Sequence, residues 1–175
     1  EADQNGVTHQ IADSPVQVRG RAVEVFAVLD ADEVGDLGRE ERTAVPAESE
    51  DVLAYLMGMD PVEFERHVMS FFQEDGHPTG LTSRSNDFGV DGYILHPDGV
   101  IVVQCKRHSF DNPVGRPIVQ QFKGVIEEQR AFRGYIVTTS RFTDEAKESA
   151  AKSDRIILID GNDLVKWHRE GRGKA

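Results

Sequence analysis

The sequence predicts an α/β fold: a three-layer sandwich in which helices cover both faces of one central mixed β-sheet. Three observations carry this prediction. Residues 91–106 read as a β-hairpin, with alternating side chains on either side of His96-Pro97-Asp98-Gly99. Residues 60–72 and 116–131 repeat apolar side chains at helical spacing. Beyond the hairpin, β-branched runs alternate with helical stretches, which is the order of parallel strands joined by crossovers. With 175 residues and 38% hydrophobic content, the chain is long enough for one substantial core.

Residues 1–52 are expected to form an acidic extension or linker, ahead of a folded domain over 53–170 and a flexible tail at 171–175. Within the extension, residues 16–29 alternate well enough for one or two strands. The acidic stretch 30–51 reads as a solvated linker with a short helix before Asp60. The chain begins with Glu1 rather than Met, which points to a processed or excised segment.

Asp60-Pro61-Val62-Glu63 is a helix start, with Asp as N-cap, Pro at the first helical position and Glu three after the cap. Phe64, Val68, Phe71 and Phe72 then form a buried stripe. At about 100° per residue, Glu65 falls nearly in line with Phe72, while Glu63 points away. A carboxylate on the apolar flank needs a partner, and a salt bridge to a neighbouring Arg is one way to supply it.

The hairpin carries the chemistry. With Pro97 and Asp98 at the turn, Leu95 faces Val100, Ile94 faces Ile101 and Asp91 faces Gln104. Val102, Gln104 and Lys106 then share one face, joined by Asp91, while Ile101, Val103 and Cys105 take the other. A carboxylate, an amide oxygen and an ammonium thus converge where a sheet ordinarily buries apolar groups. Hard cations such as Mg²⁺ take one or two carboxylates with waters and substrate phosphate. Lys106 is a mobile charge suited to the attacking water and to charge building on phosphate. The plain alternative is a solvated hairpin with a polar outer face.

After the hairpin, Val119, Phe122 and Ile126 mark a helix within residues 116–131, and Tyr135-Ile-Val-Thr-Thr139 marks a strand. Thr143 caps a short Ala-rich helix, with Asp144 and Glu145 at its positive end. Residues 155–159 form the next strand, and a last helix covers about 162–168.

Asp87-Phe-Gly-Val-Asp91-Gly followed by Val103-Gln-Cys-Lys106 resembles the Mrr-type restriction endonucleases of the PD-(D/E)XK nuclease superfamily, a subgroup with Gln where most members have an acid. The resemblance runs from Met59 to Trp167. It takes in Asp60-Pro-Val-Glu-Phe-Glu65, the segment from Gly134 to Ala146, and Ile156-Ile-Leu-Ile-Asp-Gly161. It implies a restriction-endonuclease-like sandwich. It also implies that Glu65 joins Asp91 and Gln104 as a metal ligand, restoring the charge that Gln104 lacks. Asp87 resembles a family position ahead of the catalytic Asp, or it shapes the turn around it. The expected products are a 5′-phosphate and a 3′-hydroxyl, the expected ion is Mg²⁺ with Mn²⁺ as substitute, and a separate target-reading domain is expected outside this segment.

The net charge of −11 must be located before it can be interpreted. Residues 1–60 hold 14 acidic and 4 basic side chains, whereas residues 61–175 hold 17 and 16. Residues 101–141 carry a local surplus of +4, enough for phosphate contacts or for an ordinary surface. Arg84, Arg107 and Lys123 are the candidate DNA contacts. Gln120 and Gln121 are placed to reach the site or the DNA, and His108 reads as exposed. The single cysteine excludes an internal disulfide, and no apolar run resembles a membrane span or signal peptide; both fit a cytoplasmic protein. The six histidines lack zinc-site spacing.

The expectation is a Mg²⁺-dependent DNA endonuclease domain that restricts foreign or modified DNA. Asp91, Gln104 and Glu65 organise the ion, and Lys106 acts on the attacking water and the transition state. Cutting both strands calls for two sites, hence a homodimer or larger assembly. A repair or junction-resolving nuclease of the same fold is one alternative. A non-catalytic binding or assembly domain is the other.

Overall fold

The structure, a computed structural model, describes residues 16–18, 21–23, 49–82 and 89–172. β1 (Val16–Val18) and β2 (Arg21–Val23) pair antiparallel, supplying two strands in the region expected to have them. Residues 24–29, and 30–48 of the acidic stretch, lie outside the described residues.

Two helices open the main body. α1 (Ser49–Gly58) buries Val52 and Leu56 completely. α2 (Pro61–Glu74) begins at a reciprocal cap: the Glu63 N–H donates to the Asp60 carboxylate and the Asp60 N–H to the Glu63 carboxylate, both at 2.9 Å. Its buried stripe is Phe64, Val68, Met69, Phe71 and Phe72. Burying side chains of this size stabilises by roughly 1.5–3 kcal/mol each, so this stripe largely sets where α2 lies.

Five strands form one sheet in the order β3 (Thr79–Leu81), β4 (Gly92–His96), β5 (Gly99–Lys106), β6 (Arg133–Thr138) and β7 (Ile156–Ile159). The first three run antiparallel and the last three parallel, so β5 is both the central strand and the one where the direction rule changes. The hairpin turn falls on Pro97 and Asp98, giving Leu95↔Val100 and Ile94↔Ile101 as the alternation predicts. β3 was not visible in the sequence pattern; three residues centred on Gly80 carry too little periodicity to announce a strand.

α3 (Arg116–Glu128) and α4 (Asp144–Ala150) are the crossovers between the parallel strands, and they cover one face. Their core contains Tyr93, Val100, Val102 and Ile136 from the sheet with Val119, Phe122, Ile126 and Ala146 from the helices. α5 (Gly161–Glu170) joins α1 and α2 on the other face, against Ile94, Ile101, Val103, Tyr135 and Val137. Trp167 of α5 meets Phe71 and Phe72 at ring distances of 5.4 and 5.8 Å. Arg172 extends this layer, bonding Asp75 at 2.7 Å with its guanidinium 4.3 Å from the Phe72 ring centre. Helices on both faces of a mixed sheet make the expected three-layer sandwich. No helix among the described residues is long and apolar enough to cross a membrane.

Candidate active site

The site lies where β4 and β5 part. The ladder between them ends at Gly92↔Val103, so the expected Asp91–Gln104 pair does not form. Instead the Asp91 N–H donates to the Val103 carbonyl at 2.8 Å, one residue out of register, and its carbonyl accepts from the Thr82 N–H at 3.1 Å. Gly92 is pinned at this irregularity: a Cβ there would stand 2.7 Å from Met69 Sδ and 3.1 Å from the Gly80 carbonyl.

The slip leaves the Cys105 N–H without a partner strand, and the Asp91 carboxylate accepts it at 2.6 Å. A strand N–H points along the sheet plane. The carboxylate therefore sits in the fork where β4 and β5 part, against the β5 backbone.

Gln104 and Lys106 flank Cys105 on the α3/α4 side. Gln104 is 4% exposed, and its Oε1 has no hydrogen-bond partner among the described residues. Its Nε2 lies 2.5 Å from where a Cβ on Gly89 would stand, and Gly89 has φ +84°, so only a glycine accommodates both the conformation and the amide. Lys106 is half-buried, and its carbonyl accepts from Thr138 Oγ1 at 2.7 Å. Thr138 in turn takes the Ser140 N–H at 3.1 Å, and the Thr139 hydroxyl donates to the His108 carbonyl at 2.7 Å. Hydroxyls at the end of β6 thus hold the end of β5, where the ladder alone gives out.

Glu65 approaches from α2 on the opposite face and is half-buried. The Cys105 thiol registers all these charges. Burial pushes its pKa up, the Asp91 and Glu65 carboxylates push it further, and the Lys106 ammonium pulls it back. One sulfur therefore lies within electrostatic reach of both carboxylates and the ammonium, with the Gln104 amide one residue before it.

Among the described residues no three His, Cys, Asp or Glu side chains form a metal-binding group. The donor set reaches three only with the Gln104 amide oxygen. That buried oxygen lacks a hydrogen bond, which is the condition expected of an atom reserved for a ligand. Two carboxylates and an amide carbonyl are hard oxygen donors, so the set fits a hard divalent cation rather than zinc.

The remaining candidates are placed differently. Arg107 Nη1 donates to the Met57 carbonyl in the last turn of α1 at 2.7 Å, and its buried Nε has no partner among the described residues. Lys123 Nζ donates to the Ser149 carbonyl of α4. Both cations expected on phosphate are engaged by helix-end carbonyls, because each sits where two packed elements would otherwise leave an acceptor unmet. Gln120 and Gln121 are exposed on α3, and His108 is half-buried, its N–H donating to Thr139 Oγ1 at 2.9 Å. Arg84 and Asp87 lie outside the described residues. The reading of the sequence missed Gly89, Gly92 and Thr138. The Gly89-Val-Asp-Gly92 spacing and the Thr138-Thr-Ser140 hydroxyl run were the available signals.

A family model of the restriction endonuclease catalytic domain, that of Mrr, matches residues 56–168. The chain belongs to this Mrr-type restriction endonuclease family. Over 135 residues it is 36% identical to the type IV methyl-directed restriction enzyme EcoKMrr of Escherichia coli strain K12, a match covering 73% of this chain and 43% of that enzyme. The chain thus corresponds to less than half the length of that relative. Among solved structures, the DNA modification-dependent restriction endonuclease AspBHI superposes with a TM-score of 0.57 at 22% identity, over 76% of this chain and 38% of that one. A protein of unknown function does so with a TM-score of 0.53 at 16% identity, over 63% of this chain and 67% of its own. These two likenesses establish the fold. The Mrr-type domain is therefore a restriction-endonuclease sandwich whose candidate site lies at the fork between β4 and β5.

Proposed function

We propose that this domain hydrolyses DNA phosphodiester bonds as a divalent-metal-dependent endonuclease, within a system that restricts foreign or modified DNA. The observation that carries the reading is the fork itself. The Asp91 carboxylate bonds the Cys105 N–H, and the Gln104 Oε1 and Lys106 stand on either side of that residue.

Asp91, Gln104 and Glu65 are the residues that would hold the ion, with Mg²⁺ the natural choice for an all-oxygen set and Mn²⁺ a substitute. Such an ion, when bound, supplies positive charge that orients water and phosphate oxygens. The chain's own contribution is position and charge. Asp91 is fixed by its bond to the β5 backbone, and Gln104 by its fit against Gly89. Lys106, its backbone held by Thr138, directs its ammonium at the attacking water and offsets charge gathering on the phosphate. A homodimer supplies the second such site needed to cut the opposite strand. A target-reading segment outside this chain supplies the choice of DNA.

The test is plasmid nicking with Mg²⁺, with Mn²⁺ and with chelator, comparing wild type with Asp91→Ala and Lys106→Ala. Metal-dependent nicking lost in both folded variants supports the assignment; nicking unchanged in both rejects it.

A further inference from the structure

Phe110 is 64% exposed, and among the described residues it is the only large hydrophobic side chain left so open to solvent. It lies in the loop between β5 and α3, four residues beyond Lys106, so at most about 14 Å of chain separates the two Cα atoms. The loop backbone is fixed. Ser140 Oγ donates to the Phe110 carbonyl at 3.1 Å, the Asn112 N–H to the Ser109 carbonyl at 2.9 Å, and the Val114 N–H to the Arg141 carbonyl at 2.8 Å. The guanidinium of Arg141, itself exposed, lies 5.3 Å from the Phe110 ring centre.

A ring held out on a tied loop keeps its unfavourable exposure in the folded state, since the backbone gives it no way to collapse inward. Its surroundings indicate what covers it. A stable protein interface removes about 800 Å² per partner, and one phenylalanine offers only about 150–250 Å². A nucleobase is the right size, since one ring stacks on one base. The neighbouring cation matches a backbone that carries one phosphate per nucleotide. The loop is also on the same strand end as Gln104 and Lys106.

We infer that Phe110 stacks on a base of the DNA bound at the fork, while Arg141 contacts the adjoining phosphate. This rests on the nuclease reading and adds to it a contact that grips an unpaired or unstacked base near the scissile bond.

The experiment uses the 175-residue chain carrying Lys106→Ala, so that DNA stays intact, and duplex and single-stranded oligonucleotides with 2-aminopurine at successive positions. Phe110→Ala and Phe110→Trp are made in that background. Stacking predicts a fluorescence change confined to one or two positions, lost in Phe110→Ala together with a weakening of binding on the order of 5- to 150-fold, and retained in Phe110→Trp. Arg141→Ala should weaken binding and flatten its salt dependence, leaving the position of the fluorescence change in place. Phe110→Ala that binds with wild-type affinity and an unchanged fluorescence map overturns the inference. So does a change in sedimentation without a change in DNA binding, which would make the ring a protein contact. Nicking by the chain with native Lys106, measured in parallel, separates the two failures: if nicking persists while Phe110 is silent, only this inference falls.

Discussion

The Asp91 carboxylate accepts the backbone N–H of Cys105 at 2.6 Å, across the point where β4 and β5 separate. One side chain therefore does the work of a missing ladder bond and keeps a negative charge where the two strands part. The two roles separate by substitution. Asp91→Asn retains an oxygen acceptor for Cys105 but loses the charge, and should keep its thermal midpoint while nicking falls by about 10²-fold or more. Asp91→Ala also strands a backbone donor, at about 1–3 kcal/mol, and should lower the midpoint as well. Thermal melts beside nicking rates distinguish the pair.

Gly89→Ala tests the cradle of Gln104. The new Cβ would lie 2.5 Å from Nε2 in a backbone conformation that alanine disfavours. Displacing the amide should raise the Mg²⁺ or Mn²⁺ concentration for half-maximal nicking by about 10- to 100-fold, as loss of a positioning contact does at metal sites. A metal titration unchanged from wild type would show that the amide does not need its cradle.

Thr138→Val keeps shape and removes the hydroxyl that joins Lys106 to Ser140. Both partners are backbone groups at buried or half-buried residues, so stability should fall by about 1–3 kcal/mol in a denaturant titration. Thr138→Ser, which restores the hydroxyl, should recover most of it.

Cys105 gives a pH-dependent signature. Its folded-state pKa is raised, first by burial and then by the Asp91 and Glu65 carboxylates, so the native protein holds the thiol proton more tightly than the unfolded chain. Its contribution to stability is full below the ordinary thiol range and is lost as pH rises through the folded value. Denaturation midpoints should decline on the alkaline side, and Cys105→Ala should lessen the decline. Native Cys105 should also alkylate far more slowly than the unfolded chain at pH 8.

Gly134→Ala probes the seat of α3. A Cβ there would stand 2.5 Å from Phe122 Cε1 and 2.7 Å from Ile126 Cδ1, so these buried side chains must shift to admit it. Overpacking of this kind costs about 1–3 kcal/mol, read as a lower melting temperature.

Periodicity made most of the fold legible. The α2 stripe, the hairpin register around Pro97-Asp98 and the alternation of strands and helices after it all follow from spacing, because each element buries a regular face. The site was legible in composition but not in its geometry. Asp91, Gln104 and Lys106 stood out as polar groups in an apolar ribbon. The one-residue slip at Asp91, however, lies beside Gly92, whose close approach to Met69 and Gly80 joins segments distant in sequence. The charge of Arg107 and Lys123 was visible in the sequence, but the helix-end carbonyls that each of them bonds were not. β3 stayed hidden because its pairing with β4 rests on backbone groups, about which Thr79, Gly80 and Leu81 say little.

The central position of β5 also sets an order of assembly. Its pairing with β4 needs only a two-residue turn, and hairpins of that kind close within about 1–10 μs. Its pairing with β6 waits until α3 has been made and folded back, and only then does Thr138 meet the carbonyl of Lys106. A chain that has closed only the hairpin can thus seat the Asp91 carboxylate against the Cys105 N–H before the backbone of Lys106 is tied down.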